Sequence, residues 1–237
     1  MKNSLIEKQI GIFRTILGNV AESELNSDND FILFVKAYFS FETDFGWNIL
    51  MNAMYVFEDT ELAKQDFEKF GIKGPSRHKN TGENYLRLYG VLNAVYQQSL
   101  ATINLMEIFK INEKNKLKKE LKKTQCVELR NKIASHPSNY LSTTNEKNFD
   151  VYEISRHNLE NGEISLLKNQ DYFENYDLNQ LMKDFDIKIQ YILSLILSKF
   201  LKKKFQNQGK NFIEFQNLEK IRNGAIEFGE TIINFEK

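Results

Sequence analysis

Cysteine is almost missing from this chain: Cys126 is the one thiol in 237 residues. That excludes a disulfide framework, and with His78, His136 and His157 dispersed along the sequence it leaves no ligand set for zinc. Neither a metal nor a cofactor is expected. An excess of one charge is missing too, since Lys plus Arg and Asp plus Glu number 32 each. With no global field to draw nucleic acid or an anionic membrane, any polyanion site must be local. Long apolar runs are lacking: the most apolar window, Tyr191 to Leu197, is far short of the roughly 20 residues that span a bilayer. The N-terminal M-K-N-S-L-I-E-K-Q is charged and has no signal-peptide core. The expectation is a soluble, cytoplasmic protein.

Proline is scarce as well, and Pro75 and Pro137 are the only two. What fills the chain between them is helix-period patterning, rich in Leu, Lys, Glu and Asn, which predicts a mainly α fold in one domain over 1–237. Residues 3–25 place Leu5, Ile6, Ile10, Phe13, Ile16, Leu17 and Val20 on one stripe. Ser27 with Asp30 resembles a capping box for a second helix, Phe31 to Phe41. A buried helix over Phe45 to Phe57 and a separate short acidic helix over Asp59 to Phe70, closed by Gly71, complete an N-terminal part, 1–75.

Gly71 to Gly82 (G-I-K-G-P-S-R-H-K-N-T-G) reads as a loop. Its Lys73, Arg77, His78 and Lys79 could touch phosphate, but the ordered spacing of a phosphate loop is absent. Glu83 to Ile111 is the longest helix signal, with Tyr85, Tyr89, Leu92, Tyr96, Leu100, Ile103 and Phe109 on the 3.6 period. Leu86, Leu88, Val91 and Val95 widen its apolar arc, and Asn93 and Gln97 lie along it as amides in need of partners. Asn112 to Ser135 is expected to continue as one helix whose outer side carries Lys114, Lys116, Lys118, Lys119, Lys122 and Lys123. A β-hairpin about Phe149 to Lys168, turning at Asn161-Gly162 with His157 near its tip, reads as an appendage. Tyr176 to Phe205 is another long helix, with Asp177 as N-cap, and 210–237 a weaker last one.

The chemistry concentrates at Cys126 to Ser138, C-V-E-L-R-N-K-I-A-S-H-P-S. Pro137 pushes the residue before it out of the α region, so the helix must end near His136. In an ideal helix, residues six apart stand about 240° around the axis. Arg130 and His136 can therefore border one groove only if the helix stops there. A guanidinium beside an imidazole suits phosphodiester cleavage. Histidine, with an ordinary pKa of about 6.5, moves protons near neutrality, and arginine stabilises charge building at phosphorus. On RNA the ribose 2′-hydroxyl is an internal nucleophile. The lysines Lys119, Lys122 and Lys123 are candidates to grip the phosphate backbone.

Arg130-Asn131 with His136 beyond, R-N-K-I-A-S-H within a helical frame over 83–205, resembles the HEPN superfamily. That resemblance implies a helical bundle, here with extra N-terminal helices and the small hairpin as elaborations. It implies a metal-independent ribonuclease of toxin-antitoxin or other defence systems, commonly a homodimer with two motifs in one cleft, and an antitoxin protein as a further partner. Arg130 and His136 would be catalytic, and Asn131 would orient them. Two other readings stand beside it: a HEPN-like module that binds RNA, a nucleotide or a protein without cleaving, and a helical scaffold with an accidental motif. In the latter, Arg130 pairs with Glu128 or a neighbour and His136 caps a helix.

Overall fold

Helix-forming sequence broken by few glycines and prolines gives a mainly α chain. A computed structural model describes residues 4–24, 30–75, 80–135, 140–141 and 149–205. Among them are eight α-helices: α1 (Leu5–Glu24), α2 (Phe31–Phe39), α3 (Gly46–Phe70), α4 (Thr81–Ile108), α5 (Lys114–Lys122), α6 (Gln125–Arg130), α7 (Arg156–Glu160) and α8 (Leu178–Phe205). Strands β1 (Tyr140–Leu141) and β2 (Phe149–Asp150) pair antiparallel. Strands β3 (Tyr152–Ile154), β4 (Ile164–Lys168) and β5 (Tyr172–Tyr176) form an antiparallel sheet in that order. No helix of the described residues is long and apolar enough to cross a membrane. The expected helix over 210–237 lies outside them.

The described residues fall into two compact units, one drawn from Met1–Asp59, Gln98–Lys118 and Asp186–Lys237, the other from Thr60–Gln97 and Lys119–Phe185. In the first, α1 starts with a reciprocal cap: the Glu7 amide donates to Ser4 Oγ (3.1 Å) and the Ser4 amide to Glu7 Oε2 (2.6 Å). Its predicted stripe is buried from Ile6 to Val20. Asp30 caps α2, accepting from the Ile32 and Leu33 amides, and Ser27, expected to share that role, lies outside the described residues. The core is aromatic. Phe39 stacks on Phe41 (5.2 Å) and on Phe200 (5.3 Å), and Phe109 meets all three edge-on. Gly46 opens α3 where a Cβ would collide with the Phe41 ring.

Two expected helices, Phe45 to Phe57 and Asp59 to Phe70, are one: α3 runs through Glu58 and Asp59 without a break. Acidic residues can begin a helix, but they also sit on an exposed helix face, and Glu58 is held there by Nε and Nη2 of Arg14, each at 2.7 Å.

In the second unit α3 ends at Gly71, in the left-handed region at φ 63°. Arg87 of α4 then closes the α3–α4 connection, donating to the Gly71 carbonyl (2.8 Å) and to Asp66. The expected burial of α4 needs correction: Leu88, Val91, Leu92 and Val95 are buried, but Leu86 is 75% exposed and Tyr89 39%. Asn93 and Gln97 are exposed rather than on a buried arc, and the buried amides are Asn84 and Gln98.

The hairpin is also different. Between β3 and β4 lies α7, capped by Ser155, so Asn161-Gly162 ends a helix instead of turning two strands, and His157 sits in α7. Gly162, at φ 85°, takes the left-handed position that ends many helices. The tight turn is at Asn169-Gln170, both at positive φ, with the Asp171 amide bonded to the Lys168 carbonyl. Asn84 Nδ2 donates to the Leu159 carbonyl (2.9 Å) and Thr81 Oγ1 to Glu160 (2.9 Å), tying α7 to the start of α4.

Candidate functional site

The expected single helix over Asn112 to Ser135 is interrupted. α5 ends at Lys122, and Thr124 takes an extended backbone (φ −62°, ψ 138°) from which α6 starts. Threonine favours this flanking position over a helix interior, so the break needs neither glycine nor proline. The lysine run and Arg130 therefore stand on different helices. Lys119, Lys122 and Lys123 are at least partly exposed, as a phosphate-gripping role requires.

After Arg130 the chain does not stop. It passes into a π-helical segment, Asn131–Ser135, whose wider i→i+5 bonding interrupts ordinary helices mostly in short pieces. The ideal 240° separation does not apply across such a segment. His136 and Pro137 themselves lie outside the described residues, as do Arg77, His78 and Lys79 of the earlier loop.

Arg130 is partly buried at the end of α6. Its guanidinium carbon lies 3.9 Å from the ring centroid of Tyr96 on α4, a cation-on-ring contact. Nη1 donates to Asn131 Oδ1 at 3.2 Å. Nε is buried with no hydrogen-bond partner. Among the described residues no carboxylate pairs with Arg130, Glu128 included. A fixed cation with an unsatisfied buried donor carries a cost that an anionic ligand would relieve.

Two positions on, Lys132 makes the opposite arrangement. Its ammonium donates to Glu174 Oε2 (2.7 Å) and Tyr176 Oη (2.8 Å), lies 4.5 Å above the Tyr152 ring, and is only 15% exposed. Tyr176 Oη in turn donates to Glu174. Burial alone would lower the lysine pKa, but the bonds to Glu174 and Tyr176 outweigh it and the value is raised. Burial likewise pushes the Glu174 carboxyl up, and the bonds from Lys132 and Tyr176 with the lysine charge hold it below its ordinary value. Burial and the Glu174 bond push the Tyr176 phenol up to about 12. On the same sheet Lys168 bonds Asp150 at 3.0 Å. The Asn169 amide, against burial, and then Lys168 keep Asp150 low.

Lys132, Glu174 and Tyr176 also line a groove of about 460 Å³ with Glu128, Asp177 and Asp184. Four carboxylates against one committed lysine make this groove electronegative. Arg130 does not line it, so a phosphate chain reaching Arg130 would take another path.

Sequence reasoning named Arg130 and Asn131, and these two are brought together; it missed Lys132, Glu174, Tyr176 and Tyr96. Glu174 and Tyr176 alternate on one face of β5, but nothing local pairs them with a lysine 42 residues earlier. No family model matches this chain, nor does any curated protein or solved structure.

Proposed function

We propose that this chain is a HEPN-like, metal-independent endoribonuclease working as a homodimer. The ribose 2′-hydroxyl attacks the neighbouring phosphorus and expels the 5′-oxygen. His136 takes and returns the protons, Arg130 stabilises the charge gathering on the phosphoryl oxygens, Asn131 orients the guanidinium, and Lys119, Lys122 and Lys123 hold flanking phosphates.

The observation that carries the reading is the state of Arg130: a cation with no carboxylate partner among the described residues, set on an aromatic ring, with a buried N–H left over. A cation placed for stability would be expected to have an acidic partner, which Lys132, Arg14 and Arg87 all have. The bond to Asn131 Oδ1 supports the orienting role.

The test is cleavage of RNA, with chelator present, by the wild type and by the Arg130→Ala and His136→Ala variants. Loss of a charge stabiliser costs about 10² to 10³ in rate, and loss of an acid–base group about 10² to 10⁴. Equal activity in all three removes the proposal. Salt-sensitive RNA binding without cleavage would favour a non-catalytic binding module instead.

A further inference from the structure

We propose that Lys132 is a positioning residue, fastening the π-helical segment Asn131–Ser135 to the three-stranded sheet and so setting the direction in which the chain leaves Arg130. Its catalytic consequence rests on the ribonuclease reading; the fastening itself rests on geometry alone.

Lys132 occupies an unspecified place inside R-N-K-I-A-S-H and, beside Arg130, would pass for one more phosphate-binding cation. Its surroundings are those of a structural tie. An exposed lysine such as Lys122 keeps its ammonium in water. Lys132 spends its charge on Glu174 and Tyr176 of β5 and lays it against Tyr152 of β3, two strands away. The compact ammonium, with three donors that can rotate, reaches all three. Tyr152 is also near the ammonium of Lys168 (5.8 Å), which bonds Asp150, so the tie is continuous with the sheet's own network.

The segment depends on such a tie. A π-helical turn is a rare winding that persists only where surroundings hold it. The preceding helix, α6, is a mere six residues, too short to impose direction on the next turn of chain. Ile133 is buried and adds an apolar contact, but Lys132 supplies the directional bonds. The sheet is thus a support for the motif rather than an appendage.

The experiment uses the full chain with Lys132→Met, Lys132→Arg and Glu174→Gln, measured by amide hydrogen exchange and RNA-cleavage kinetics. Losing two charge-assisted bonds should speed exchange at Asn131–Ser135 roughly tenfold or more in Lys132→Met, with α4 and β4 unchanged and Lys132→Arg, which keeps the charge but not the compact shape, in between. The kcat for RNA should fall roughly tenfold with KM unchanged, and Glu174→Gln should shift in the same direction. Unchanged exchange in Lys132→Met would overturn the proposal. So would equal acceleration across α4 and β4, which means general loosening, or a raised KM at constant kcat, which means that Lys132 holds RNA itself. If the wild type cleaves no faster than Arg130→Ala, the ribonuclease reading fails, and the exchange data alone decide the tie.

Discussion

At the scale of single residues, the three cations Arg130, Lys132 and Lys168 show how differently one charge can be used. Lys132 and Lys168 are neutralised by carboxylates, and among the described residues Arg130 is not. The Lys132–Glu174 pair has a pH signature whose sign is set by the two shifts. Glu174 is lowered on folding, so its contribution is full above the ordinary carboxyl value and is lost as pH falls through the folded one. Lys132 is raised, so its contribution is full below the ordinary lysine value and lost as pH rises through the folded one. Near neutrality both are present. Glu174→Gln should therefore lower unfolding free energy at neutral pH by about 1.5 to 3 kcal/mol. The gap from wild type should close below about pH 4.3, the unfolded glutamate value. Asp150, also lowered, remains in both proteins, so the acid limb shrinks without vanishing. Urea unfolding of the two proteins across pH checks this, and a gap that widens on acidification would refute it.

At the scale of elements, α1, α2, α4 and α8 are legible because long amphipathic periods need only local sequence. What escapes is short or set by distant partners. α7 has five residues, less than two turns, and leaves no periodic trace. The Asn161-Gly162 pair satisfies a helix end as readily as a hairpin turn, since both ask for a left-handed residue. The real turn hides behind Asn169-Gln170, where φ is 51° and 57° in residues with a Cβ. These two positions should respond oppositely to glycine. Gln170→Gly relieves left-handed strain of roughly 1 kcal/mol. Asn169→Gly relieves less strain, because asparagine tolerates the left-handed region, and removes the side-chain bonds to the Val151 amide (2.8 Å) and to Asp150 (2.9 Å). Thermal melting should rise for Gln170→Gly and fall for Asn169→Gly. A rise in both would mean that the Asn169 side chain contributes nothing to the sheet.

At the scale of the whole molecule, balanced charge conceals an uneven distribution. The outward stripe of α4 carries Leu86, Tyr89, Gly90, Asn93 and Gln97, all exposed and none charged at neutral pH. In a chain where 27% of residues are charged, about three turns of helix surface without one are notable for what they permit. A two-fold contact sets a patch against its own copy, so a charged stripe would repel itself and a neutral one does not. Tyr96, the ring against Arg130, lies about two turns beyond Tyr89 on the same helix. If the motif works in pairs as proposed, this stripe is where the copies would meet. Leu86→Lys should then weaken self-association. Losing a buried leucine costs about 1.5 kcal/mol or more and occurs twice in a two-fold contact, so the dissociation constant should rise about 10²-fold or more. Cleavage per chain should fall on dilution and return at high concentration. Sedimentation over a dilution series, read with RNA cleavage, separates the outcomes. Dissociation unaffected by Leu86→Lys places any dimer contact elsewhere. A wild type that is monomeric throughout yet cleaves RNA at full rate means that one copy of Arg130 suffices.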